Sequence, residues 1–281
     1  MSNILILIKK AYTSYNKLPL KIRFLFVLIF FLILFVATVS FKGGKNNRES
    51  TDNKSGVVEE NKQNGEETSD EGDENTLPGP KEVIVVVDPG HGGEDLGATK
   101  DGLYEKNLNL DISLRLGKLL EDLGIKVVYT RKTDIDVGLD ERVNIANSID
   151  ATLFISVHNN YMPNDAGYKG TETLYCVPEN PVEGKMDGQK LASIVQKKLV
   201  NTLKTVDNGT IYRPNLVVLR KTKMPAVIAE IAYMSNSSDR AKLSDAGFRQ
   251  KAAEALSEAV MEALDFMQAW KDEEGKWIIM N

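Results

Sequence analysis

From residue 83 onward, short runs of apolar, largely β-branched residues alternate with longer stretches whose apolar positions recur every three or four residues, which leaves few folds open. Residues 83–87 form a continuous apolar run ending in Asp88-Pro89-Gly90, as expected of a strand covered on both faces. Residues 103–123 carry Leu108, Ile112, Leu116, Leu119, Leu120 and Leu123 at helical spacing, and Gly124 then stops the helix. The spacing continues with strands over 125–130, 151–157, 171–176, 216–219 and 226–229. Helices are predicted over 139–148, 188–205 and 248–270. The expected fold is α/β: a single domain over residues 81–281 with a mostly parallel, twisted sheet flanked by helices, and no internal repeat or second core.

The first 80 of the 281 residues have a different character. Residues 24–41 are an uncharged apolar run of 18, about the minimum to cross a bilayer as a helix. Five basic residues and no acid lie close before it, against three basic residues mixed with acids after it. That asymmetry predicts a cytoplasmic segment 1–23, a transmembrane signal anchor 24–41 and an exported remainder. A cleaved secretory signal is the alternative; Ala37, Thr38 and Ser40 could serve a peptidase, and export follows in either case. Residues 42–80 hold ten acidic and five basic side chains with few large apolar ones. Such a stretch buries too little to offset the entropy of ordering, so a flexible linker is expected.

A formal net charge of −5 argues against a nucleic-acid partner, which needs a clustered basic face. The lone cysteine, Cys176, excludes an intrachain disulfide and a multi-thiolate metal site, and it reads as a small core hydrophobe.

Only two histidines exist, and both fall at the carboxyl ends of predicted strands, where open α/β sheets place their ligands. His91 follows the first strand among Gly90, Gly92 and Gly93; His158 directly follows the strand 151–157. A zinc ion takes three nitrogen or oxygen ligands and leaves a position open, so with no thiolate available the third must be a carboxylate. Glu105, which opens the first helix, is the leading candidate; a helix-N-terminal acid favoured by the macrodipole is the competing reading. Glu230 ends the apolar run 225–229, where lost hydration would raise its pKa and suit it to accept a proton. Glu172 is a weaker candidate that an alternating strand could turn to solvent. The segment Gly138-Leu139-Asp140-Glu141-Arg142 reads as a loop entering a helix, with no assignable chemistry.

These residues resemble the zinc-dependent N-acetylmuramoyl-L-alanine amidases that cut peptidoglycan. The likeness runs through Val85-Val86-Val87-Asp88-Pro89-Gly90-His91-Gly92-Gly93, Glu105-Lys106-Asn107, Ile155-Ser156-Val157-His158-Asn159-Asn160 and Met224 to Asn236, with Thr130 to Asp134 and 139–147 as further similar segments. It implies one Zn2+ held by His91, Glu105 and His158, with Glu230 as the catalytic base. The implied reaction is hydrolysis of the amide between N-acetylmuramic acid and L-alanine, in wall remodelling or autolysis. Ala232-Tyr233 stands where the family often has Gly-Phe. The stretch 177–187 is too short for the inhibitory helix that some members insert there.

The implied partners are peptidoglycan and, through 24–41, a membrane, which places the catalytic domain on the outer side of a bacterial membrane. Two rivals remain: a zinc peptidase cutting within the stem peptide, and a tethered wall-binding protein with a dead site. The second predicts lost ligands, and all four positions are filled.

Overall fold

The structure, a computed structural model, describes residues 79–177, 182 and 184–280. The expected membrane segment 24–41 and nearly all of the linker lie outside the described residues. Among the described residues no helix is long and apolar enough to cross a membrane.

The described residues open with β1 (Pro80–Glu82) and β2 (Ile84–Pro89). A small hairpin, β3 (Thr99–Lys100) and β4 (Leu103–Tyr104), leads into α1 (Glu105–Asp122). Then come β5 (Lys126–Tyr129), α2 (Leu139–Ser148), β6 (Leu153–Asn160) and β7 (Thr171–Tyr175). These are followed by α3 (Gly188–Leu203), β8 (Asp207–Tyr212), α4 (Val217–Arg220) and β9 (Ala226–Tyr233). The chain ends through α5 (Ser237–Ser244), α6 (Ala246–Phe266), β10 (Trp270–Lys271) and β11 (Trp277–Met280).

The main sheet has six strands in the order β5-β2-β6-β9-β7-β8. All its pairings are parallel except β7 with β9. The carboxyl ends of β2, β6 and β9 therefore meet at one edge, and the antiparallel β7 brings its amino-terminal end there too.

Alternation along the strands sends one set of side chains to each face. On one face Val85, Val87, Ile155, Val157, Val227 and Ala229 pack beneath α1, α3 and α6. The i, i+4 series Leu108, Ile112, Leu116 and Leu120 supplies the covering stripe of α1. On the other face Val86, Phe154, Leu174 and Ile228 pack beneath α2 and α4. The helices on this second face are short, with ten residues in α2 and four in α4.

Several expectations need correction. Residues 216–219 lie mostly in the helical turn α4 rather than a strand, and β8 at Asp207–Tyr212 was not expected. The last long helix is shorter than 248–270 at its carboxyl end; it begins at Ala246 after a separate helix α5 and gives way to β10 and β11. Those two strands and β1 form a small antiparallel sheet in which Pro80 pairs with Met280. Of the stretch 177–187, residues 177, 182 and 184–187 are described, and none is helical.

Candidate metal centre

Each proposed ligand reaches the shared edge by a different route. His91 lies just past β2 with a left-handed backbone, φ 60°. Glu105 is the first residue of α1, brought over the edge by the β3–β4 hairpin; its amide donates to the Ala98 carbonyl at 2.9 Å. His158 was expected after its strand and instead lies within β6, in register with Glu230 on β9. One extra β9 residue between that pair and Asn160–Tyr233 makes a bulge, a device that re-aims side chains at a sheet edge.

The three converge. Glu105 Oε1 lies 3.2 Å from His91 Nε2 and 3.0 Å from His158 Nδ1. One donor atom from each residue lies within 4.8 Å of the others. The two imidazoles meet edge to face, with centroids 4.9 Å apart. Tetrahedral zinc with bonds near 2.1 Å separates its ligands by roughly 3.4 Å, so this donor set fits such an ion with small adjustments.

Neighbouring groups fix each ligand. His91 Nδ1 bonds Asp95 Oδ2 at 2.8 Å, which aims Nε2 at the cluster. Glu105 Oε2 accepts from the Ala98 amide at 2.8 Å. Its Oε1 accepts from the Asn159 amide at 3.2 Å and from Asn109 Nδ2 at 3.3 Å. Gly90 leaves room for His158: a Cβ there would lie 2.2 Å from the imidazole ring.

The charges are mutually dependent. Burial pulls His91 down, but bonds to Glu105 and Asp95 outweigh it and push the imidazole up to about 9. Burial likewise opposes the charged form of Glu105, yet the two imidazoles hold it well below the usual carboxylate range. His158 is raised despite its burial, by its bond to Glu105 and the charges of Glu230 and Glu105.

Glu230 lies inside β9 rather than at its end. Burial pushes its carboxyl up to about 7, against the pull of His158 and helped by Glu105 and Glu172. Its Oε2 is buried and has no hydrogen-bond partner among the described residues.

Glu172 does not face solvent. It is 5% exposed, sits opposite Glu230 in the β7–β9 register and accepts from Asn160 Nδ2 at 2.8 Å. Cys176 is partly buried against the second-face core, as a small hydrophobe would be.

Residues not singled out from the sequence surround the ligands. Asp88, Arg131 and Arg142 are all buried and lie directly behind His91. Arg142 sits on the apolar stripe of α2 with Val143 and Ala146, and that misplaced charge was the signal available in the sequence.

A cleft of about 280 Å³ opens onto His91 and His158 between Val137 and Leu139 on one side and Leu216 and Val217 on the other. A larger cavity of about 560 Å³ lies near Thr152 and Met224, at the opposite end of the strands and away from these groups. Size does not single out the candidate site here; the converging donors do.

Comparison with known proteins agrees with this geometry. A family model described as N-acetylmuramoyl-L-alanine amidase matches residues 85–262. The Bacillus subtilis (strain 168) protein YqiI, described as uncharacterized, is 39% identical over 61% of this chain and 80% of its own length. The N-acetylmuramoyl-L-alanine amidase LytC of the same strain is 38% identical over 63% of this chain; the match spans only 34% of LytC. The solved structure of N-acetylmuramoyl-L-alanine amidase AmiC2 of Nostoc punctiforme superposes with a TM-score of 0.61 at 33% identity, covering 66% of this chain and 99% of that one.

Proposed function

We propose, from the premise that this chain belongs to the N-acetylmuramoyl-L-alanine amidase family, that it is a zinc-dependent hydrolase of the muramoyl–L-alanine amide in peptidoglycan, acting in wall remodelling or autolysis. The observation that carries this reading is the convergence of His91, Glu105 and His158 beside Glu230, whose buried Oε2 has no partner among the described residues. An orphaned carboxylate oxygen on the residue in register with His158 suits a group that exchanges protons with a substrate or water.

His91, Glu105 and His158 would hold the ion. Zinc bound there would polarise the scissile carbonyl and acidify water. Asp95 orients His91, and Asn109 with the Asn159 amide orients Glu105. Glu230, near neutrality by virtue of burial, takes the proton of the attacking water and returns it to the departing L-alanine nitrogen. The cleft between α2 and α4 would receive the substrate. The apolar run 24–41 would tether the domain to the outer face of a membrane through the acidic stretch that follows it.

Metal analysis of the full-length protein, combined with mass spectrometry of digested wall fragments, tests the proposal. The expected result is about one zinc per chain and chelator-sensitive release of intact stem peptides beginning with L-alanine. Cleavage inside the stem peptide would transfer the protein to the peptidases, and a folded protein that captures no divalent metal would remove the catalytic reading altogether.

A further inference from the structure

We infer that Arg142 and Arg131, joined with Asp88, form a buried brace that presets the backbone behind all three ligands and so determines how tightly the centre holds its metal. This rests on the zinc reading of the same site.

The segment Pro89-Gly90-His91 has no regular structure of its own at its end, yet each of its carbonyls is taken by a guanidinium. Pro89 O accepts from Arg142 Nη1 at 2.8 Å and from Arg131 Nε at 3.0 Å. Gly90 O accepts from Arg131 Nη2 at 2.9 Å, and His91 O from Arg142 Nη2 at 2.9 Å. The left-handed backbone of His91 is energetically uphill for a residue with a Cβ, so it persists only where surrounding bonds overdetermine it. These bonds do that.

The same groups reach the other two ligands. Arg131 Nη2 also donates to the carbonyl of Lys106, next to Glu105, at 2.9 Å. Asp88 accepts from Arg142 Nη1 at 2.7 Å, from Thr130 Oγ1 at 2.6 Å and from Ser156 Oγ at 2.6 Å. Ser156 precedes His158 by two residues on the same strand face.

Arg131 is 2% exposed, Arg142 4% and Asp88 1%. Burying two guanidinium ions with one carboxylate is costly, and an apolar filling would serve packing at least as well. The planar fork of arginine, however, can bind several carbonyls at once, which neither an apolar side chain nor lysine reproduces. The chemistry of the cluster therefore points to placement of the backbone rather than to bulk stability. Arg131 and Arg142 are positioning residues that act through the backbone of the ligands, and Arg142 also lines the cleft beside His91.

The test measures zinc affinity of metal-stripped full-length protein by competition with a chromophoric chelator, for wild type and for Arg142→Lys, Arg131→Lys and Ser156→Ala. Each lysine keeps the charge and loses the fork. Zinc binding about 10–100-fold weaker is expected for the two lysine variants while circular dichroism reports a folded protein, with a smaller loss for Ser156→Ala. A folded Arg142→Lys or Arg131→Lys protein with wild-type affinity overturns the inference. If both lysine variants fail to fold, Ser156→Ala decides: weakened zinc binding supports the brace, and unchanged binding assigns the arginines to folding alone. Failure of the wild type to bind zinc would instead strike the proposed function, so the two readings fail separately.

Discussion

A carboxylate on a central strand loses much of its hydration, and Glu230 has two carboxylates that repel its charge, Glu105 and Glu172, as well as two imidazoles that attract it, His158 and His91. Replacing it by Gln keeps the shape and removes the ability to accept a proton. We expect Glu230→Gln to hold zinc as the wild type does and to lose roughly 10²–10⁴-fold in kcat, read by release of stem peptides. Near-normal turnover would dismiss Glu230 as the base. Gly90 offers a second test at this scale. A methyl group there would stand 2.2 Å from the His158 ring, too close for any native contact, so the imidazole must move. Gly90→Ala should therefore stay folded and bind zinc at least tenfold more weakly in a chelator competition; unchanged affinity would show that the imidazole has slack. The two histidines stand out as candidates because histidine is rare in this chain and both copies fall at the ends of predicted strands. Only the family resemblance favours Glu105 over a plain helix-terminal acid, and Glu230 stands out because it ends an apolar run. Glu172 was misjudged because period-2 alternation gives which side chains share a face but not what covers that face, and β7 reaches this edge only by running antiparallel to β9.

At the scale of elements, the strands and helices with strong periodicity were legible, and the failures share a cause. Leu216-Val217-Val218-Leu219 is apolar and β-branched, yet Leu216 caps the helical turn α4 and Val218 and Leu219 are buried from it in the second-face core, a use of apolar residues that local composition does not distinguish from a strand. Conversely β8 reads Asp-Asn-Gly-Thr-Ile-Tyr, a turn-like composition. Pairing with β7 and the bond from Gln196 Nε2 to Asp207 Oδ1 at 2.6 Å hold it in the sheet. The break between α5 and α6 falls at Asp245, whose carboxylate caps the amide of Gly247. Helix α3 gives the prediction at this level. It starts at Gly188, where a Cβ would lie 2.1 Å from the Cys176 carbonyl, a backbone atom that cannot swing aside. A helix normally gains from Gly→Ala, but here the clash should dominate. Gly188→Ala is expected to destabilise the protein by about 1–3 kcal/mol in urea unfolding, with zinc affinity unchanged because the contact lies at the far end of the sheet from His91. A stabilised variant would contradict the tight seating of α3.

For the whole molecule, the proposed zinc reading links folding, protons and metal through one cluster. In the metal-free protein His91 is raised from 6.5 to about 9, so the stability it contributes is fully present below pH 6.5 and is lost as the pH rises through 9. Glu230, raised from 4.5 to about 7, acts in the same direction over the lower window. Glu105 is depressed and acts oppositely, contributing above pH 4.5 and losing that contribution as the pH falls through its lowered value. Between pH 6.5 and 9 the metal-free fold should therefore weaken through this cluster. Zinc needs the same imidazoles neutral, so the proton that leaves His91 over that interval is one the ion no longer has to displace, and zinc affinity should rise with pH. At a hundredfold excess over its Kd the ion adds about 2.7 kcal/mol of stability. At one fixed free zinc concentration, the difference in Tm between zinc-loaded and metal-free protein should accordingly widen from pH 6.5 to 9. Paired thermal melts across that range, with and without chelator, measure it. A gap that stays flat would mean that the protons on His91 and the metal do not compete, and so that His91 is not a ligand.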